Sequence, residues 1–280
     1  MKLITIYRKA EISLIVDFLF KQMKNFTFPL KVSDLLKFFR KYYKIKLVKF
    51  SEFATISGKT ISETEKKFCT KDARIIYIPE FNTYFIYYND TMPNNRCRWN
   101  IIHELAHLYL NHAVIKLTAE MNYDELSTEE YTEMEEEANY FTSCCLTPYA
   151  VIVGLSCYYK MIRFKGFYTI SRTFFGLSKE ASYYTSKKLT TLRNFNLNMQ
   201  SFQPYENYLK YIITTYPQDI FSSRSLLKYQ KEIPGIRHII SQKKLNETFN
   251  AHYWEFYSVG DVVEIMLKKE YIKWNQYELM

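Results

Sequence analysis

The stretch from Trp99 to Leu110 reads Trp-Asn-Ile-Ile-His-Glu-Leu-Ala-His-Leu-Tyr-Leu, with neither glycine nor proline. It predicts a buried helix, and that helix constrains the rest of the chain. Residues four apart project from one face of a helix, so His103 and His107 can aim both imidazoles at one ion. Glu104 stands at the edge of the same face, within reach of a water on that ion. Two zinc ligands and a general base on one helix is the reading of His-Glu-x-x-His. The plain alternative is two core histidines that happen to lie four apart.

A zinc held by two imidazoles needs another protein ligand if one position is to stay open for water. Glu135, Glu136 and Glu137 offer it, on a helix predicted from about Glu129 to Leu146 and ended by Pro148. Ser127 or Thr128 suits the N-cap, and Glu129 and Glu130 suit the first turn, where carboxylates meet the positive end of the helix dipole. Crossing this helix over the first brings one of the three carboxylates to the metal, and spacing does not choose among them. A glutamate run on a helix is ordinarily a solvated face, which is the expectation for most of the acids here.

The elements around these two helices follow from periodicity. Ile12, Ile15, Val16, Leu19 and Phe20 mark one face of a helix near residues 9–24. A second helix is predicted from Ser33, as N-cap, through Leu35, Leu36, Phe39 and Tyr43. Residues 44–50 suggest a strand, and residues 74–79 and 83–88 a hairpin leading into the histidine helix. The edge of that hairpin suits pairing with an extended peptide laid across the metal, or it only packs on the helix. Ser57-Gly58-Lys59-Thr60 imitates the end of a phosphate loop, but Phe53 stands where that loop needs glycine. Downstream, residues 149–161 are apolar and expected to be buried. Residues 168–175 and 178–192, joined at Gly176, have helix-turn-helix spacing, read either as a packed hairpin or as a DNA reader. Residues 194–204 are linker-like. Helical patterns recur over 205–216, 222–230 and 259–274, where His238 and His252 are expected to be structural.

Composition narrows the class. Hydrophobic residues make up 48% of the 280, enough for a core, and only 6 glycines and 7 prolines argue against a loop-rich or disordered chain. The five cysteines form no C-x-x-C pair, which fits a reducing compartment. No signal-peptide core follows Lys2, and the longest apolar run falls short of the roughly 20 residues of a membrane helix. The expectation is a cytoplasmic protein with no membrane partner. The net charge of +9 is uneven, because residues 113–159 hold one base against nine acids. The remaining basic surface is compatible with nucleic-acid contact, though a solvated face is the commoner meaning.

Taken with Glu135-Glu136-Glu137-Ala138-Asn139-Tyr140-Phe141 and Leu146-Thr147-Pro148, the motif His103-Glu104-Leu105-Ala106-His107 resembles the ImmA/IrrE family of zinc metallopeptidases. The family pattern is H-E-x-x-H, then E-x-E-A-N-x-F-A-x-x-L-L-x-P. The resemblance spans roughly residues 30–195 and includes the hairpin and Phe175 to Ala181. It implies Glu135 as the third zinc ligand, and Asn139, one turn on, as a partner that orients a ligand histidine. Ala106 replaces the usual glycine, and Phe141-Thr142-Ser143-Cys144-Cys145-Leu146 departs from F-A-x-x-L-L. These changes alter packing and spare every ligand.

The resemblance implies an α+β fold. Residues 1–195 form a mostly helical zincin-like metallopeptidase core with a small antiparallel sheet, and residues 196–280 a helical C-terminal extension of unknown role. The expected reaction is peptide hydrolysis, with Glu104 taking the water proton and Tyr88, Tyr109 or Tyr140 as unranked donors to the oxyanion. The implied substrate is a protein, a helix-turn-helix repressor. The rival is a regulator that keeps the zinc and acts by binding protein or DNA without cutting.

Overall fold

The computed structural model describes residues 4–112, 128–191, 199–218, 228–229 and 232–236. The chain divides into two compact units, Met1–Ile4 with Phe26–Leu146, and Thr5–Asn25 with Thr147–Met280. Helix α1 (Ile6–Met23) belongs to the second.

The first unit begins with α2 (Val32–Phe39), which buries Leu35, Leu36, Phe38 and Phe39. It starts at Val32 with Lys31 at its cap, so Ser33 lies inside the first turn. Strand β1 (Ile45–Lys49) runs directly into α3 (Phe50–Ser57), and α4 (Ile61–Phe68) follows. The phosphate-loop imitation is the joint between these helices. Gly58, at φ 64°, closes α3 in the left-handed region. Thr60 then opens α4 with a capping box: its hydroxyl accepts from Glu63 N at 3.2 Å, and its own N–H donates to Glu63 Oε2 at 2.8 Å.

Strands β2 (Ala73–Ile78) and β3 (Thr83–Tyr88) form the expected hairpin, antiparallel, with Ile75 opposite Ile86. The sheet is mixed, however, not purely antiparallel. Strand β1 adds on the far side of β3 in parallel, Leu47 opposite Ile86, giving the order β1-β3-β2. A parallel pair needs a long crossover, and α3, α4 and β2 lie between its two strands in sequence. Thus β3 is central and β2 is an edge. Helix α5 (Asn94–Tyr109) packs against β2 and β3, and α6 (Thr128–Leu146) packs against α5. Ile86, Ile102, Leu105, Ala106, Ala138, Phe141 and Cys145 are fully buried in this unit.

The second unit adds α7 (Tyr149–Tyr158), α8 (Phe164–Phe174), α9 (Lys179–Thr191), α10 (Met199–Phe202) and α11 (Glu206–Thr215) to α1. Helices α8 and α9 pack on each other, and Ser178 caps α9 by accepting from Ala181 N at 3.1 Å. Residues 199–204 of the expected linker are helical. Gly166 is required where α8 turns past Met161, because a Cβ there would lie 1.9 Å from the Met161 carbonyl oxygen. Tyr168, Tyr229, Ile233 and Ile236 form a buried cluster.

The stretch 129–158 is the one span among the described residues long and apolar enough to cross a membrane, and 83% of its apolar window is buried in the protein. All five cysteines are free. The expectations placed on residues 113–127, 194–198, 222–227 and 259–274, and on His238 and His252, lie outside the described residues.

Candidate metal centre

Helix α5 is tied to the sheet at both its start and its middle. Asp72, the residue before β2, accepts from Arg96 Nε at 2.9 Å, Arg96 Nη2 at 2.6 Å and Asn100 Nδ2 at 3.0 Å. Partial burial opposes charge on Asp72, but the Arg96 and Asn100 donors outweigh it and hold the carboxyl below its usual range. One turn further, Glu104 Oε2 accepts from Ile75 N at 2.8 Å. Glu104 is only 8% exposed, so its carboxylate is fixed against the edge of β2.

His103 and His107 leave α5 on one face. Their Nε2 atoms stand 3.0 Å apart. Glu135 of α6 meets both, with Oε2 at 3.1 Å from His103 Nε2 and Oε1 at 3.5 Å from His107 Nε2. A tetrahedral ion with nitrogen and oxygen ligands at about 2.0–2.1 Å has ligand atoms about 3.4 Å from one another. The three side chains match that spacing to within a few tenths of an ångström, and among the described residues they form the group able to hold a metal. The donor set therefore fits a divalent ion with one open side.

The electrostatics of the site agree. Burial opposes charge on Glu135, yet hydrogen bonds from His103 and His107 hold its carboxyl well below the usual range. Burial likewise opposes charge on His103, and Glu135 with Glu104 overcomes it, so the imidazole is raised. Asn139, one turn beyond Glu135, stands close enough to add to that rise. It makes no hydrogen bond of ordinary geometry to His103 Nδ1, which is buried without a partner among the described atoms.

The three consecutive glutamates have separate partners. Glu135 faces the two histidines, Glu136 Oε2 accepts from Ile4 N at 2.8 Å, and Glu137 Oε2 lies 3.1 Å from His112 Nε2. His112 in turn sets its Nδ1 2.9 Å from His107 Nδ1. Sequence reasoning missed His112, because five residues is not a helix-face spacing. The chain brings it back by ending α5 in a Schellman motif. Asn111 takes φ 54°, its N–H donates to Leu108 O at 3.2 Å, and His112 N–H donates to His107 O at 3.0 Å. An asparagine just past a helix end was the available signal.

Tyr131 was also missed. It lies one turn before Glu135 on α6, and burial together with Glu135, through both charge and a hydrogen bond, raises its phenol far above the ordinary value. It remains 38% exposed. Of the phenols expected to serve the oxyanion, Tyr109 packs its ring on Phe39 and Phe141 at 5.3 and 5.8 Å, and Tyr140 is buried at 5% exposure. Tyr88 is half-buried on β3.

Residues 59–187 match the family model described as the IrrE N-terminal-like domain, a peptidase family. No curated protein and no solved structure matches the chain. The matched stretch contains β2, β3 and both helices that bear the His103, His107 and Glu135 cluster. The match covers a little under half of the chain, and that stretch is similar to the ImmA/IrrE metallopeptidases whose motifs the sequence resembles.

Proposed function

We propose that this protein is a zinc-dependent endopeptidase that hydrolyses a peptide bond in an intracellular protein, with a helix-turn-helix transcriptional repressor as its target. The reading is carried by one juxtaposition: His103, His107 and Glu135 converge, and Glu104 is fixed beside them by Ile75 N at 2.8 Å. His103 and His107 from α5 and Glu135 from α6 hold the ion. Zinc bound there would acidify a water to a pKa of roughly 7 and polarise the scissile carbonyl. Glu104 is the group that would take a proton from the attacking water and deliver it to the departing amine. The Ile75 amide occupies one carboxylate oxygen of Glu104 and orients the group, leaving acceptor capacity for the proton.

The edge of β2 supplies a place for the substrate backbone. Ile75 N–H points away from β3 toward Glu104. In an antiparallel pair, alternate residues direct their N–H and C=O groups to the same side, so those of Tyr77 face outward with those of Ile75. An extended peptide can add there as a further strand. Tyr131 is the donor assigned to the developing oxyanion, since its hydroxyl stands at the Glu135 carboxylate on the exposed side of α6. The choice of a repressor as target rests on the family resemblance.

Glu104→Gln is the direct test. Zinc content by elemental analysis should equal that of the wild type, and cleavage should vanish. Cleavage that survives would remove Glu104 from the mechanism. The same inactive protein, used as a trap, should capture a helix-turn-helix regulator, and its failure to do so would sink the choice of target alone.

A further inference from the structure

Behind the metal centre lies a second polar assembly that peptide hydrolysis does not itself use. His107, His112 and Glu137 form a continuous chain, Nδ1 to Nδ1 at 2.9 Å and Nε2 to Oε2 at 3.1 Å, and all three are buried at 2%, 6% and 7% exposure. It joins the helix that carries two ligands to the helix that carries the third. We infer that Glu137 and His112 act as a relay that fixes the tautomer of His107, and so set how tightly the site holds its ion. The inference rests on the metal reading of His103, His107 and Glu135.

The argument is one of proton counting. His107 directs Nε2 into the site, 3.0 Å from His103 Nε2 and 3.5 Å from Glu135 Oε1. To ligate through Nε2, a neutral imidazole must carry its proton on Nδ1. That N–H faces His112 Nδ1, which must then be an acceptor. A neutral His112 with a bare Nδ1 carries its proton on Nε2, and this donates to the Glu137 oxygen that faces it at 3.1 Å. Each step dictates the next, starting from the Nε2 that His107 turns to the ion. With the opposite tautomer of His112, two N–H groups would meet head-on at 2.9 Å. Glu137 and His112 are thus positioning residues that act through His107 and touch neither ion nor substrate. His103 has Asn139 of α6 beside it instead, so the relay orients one ligand of the pair.

The experiment is a zinc titration of the full chain in competition with a chromogenic chelator, with Co2+ absorption as a second signature of the ligand field. His112→Leu removes the acceptor and should weaken zinc about 10- to 100-fold, the usual range for loss of a partner behind a ligand. His112→Asn places an amide oxygen near the position of Nδ1 and should restore most of that loss. Glu137→Gln keeps an acceptor but removes its charge, and should weaken zinc less than His112→Leu does. Equal affinity in wild type and folded His112→Leu overturns the relay. An equal loss in His112→Asn overturns it as well, because bulk and not the acceptor would then matter. If His112→Leu does not fold, Glu137→Gln decides, and unchanged zinc affinity and Co2+ spectrum there overturn the relay. A wild type that takes up neither ion fails differently: it removes the metal site itself, and the relay with it.

Discussion

Glu135, Glu136 and Glu137 leave α6 about 100° apart around the helix, and their carboxylates end on the histidine pair, the Ile4 amide and His112 respectively. Charge is the same at all three positions, so the expected effects of substitution differ only through direction. His103→Ala should abolish metal uptake, read by elemental analysis. Glu136→Gln should leave zinc content and cleavage at wild-type levels, because its partner is a main-chain N–H that an amide oxygen can also accept from. Tyr131→Phe should keep the metal and lower kcat by about 100- to 1,000-fold with little change in KM, the range seen when one oxyanion donor is removed. A normal kcat in Tyr131→Phe would return that role to another group. At this scale spacing narrowed the third ligand to three residues, and only the family resemblance singled out Glu135. A heptad-scale pattern tells which residues share a face, not which of three adjacent faces meets a neighbouring helix.

The histidine helix, the hairpin after residue 73 and the long helix ending before Pro148 were all readable, because each has a strong period and a clear stop. Two features were not. The parallel pairing of β1 depends on where two intervening helices return the chain, and no local pattern encodes that. The return of His112 to His107 depends on one residue in the left-handed region beyond the end of α5. Asparagine tolerates that region better than other non-glycine residues. Asn111→Gly should therefore leave thermal stability nearly unchanged, whereas Asn111→Val should cost about 1–2 kcal/mol, measured by chemical denaturation. Equal stability of the two variants would show that the turn does not depend on this backbone geometry.

For the whole chain, a net charge of +9 invites the competing picture of a regulator that grips DNA without cutting anything. Contact through scattered lysines alone should be sequence-independent and collapse between about 50 and 200 mM salt. A gel-shift series beside the cleavage assay separates that from a specific complex through α8 and α9. The second unit also carries a pH dependence of its own. Asp17 is buried and its pKa is pushed up to about 6, mostly by burial, against the hydrogen bond it accepts from Tyr205 at 2.6 Å. A native pKa above the unfolded value favours folding in acid, and that advantage is lost as pH rises through about 6. Asp17→Asn should thus raise stability at neutral pH, by on the order of 3 kcal/mol for a shift of about two units. It should also remove this residue's part of the slope between pH 4 and 6, read from Tm against pH. A variant no more stable than the wild type at pH 7.5 would mean that Asp17 bears no charge penalty there.

The bond between Ile75 N and Glu104 reaches further than orientation. One rung of the β2 edge is already taken by the enzyme's own carboxylate, so a guest strand in the proposed reaction must find its anchorage from Tyr77 onward. Only a segment that has shed its own secondary structure can lie down in that way. A compact helical regulator would have to unravel locally before being cut. The speed of its destruction would then follow how often the victim opens, and a loosened mutant of the same regulator would disappear faster although its cleavage sequence had not changed.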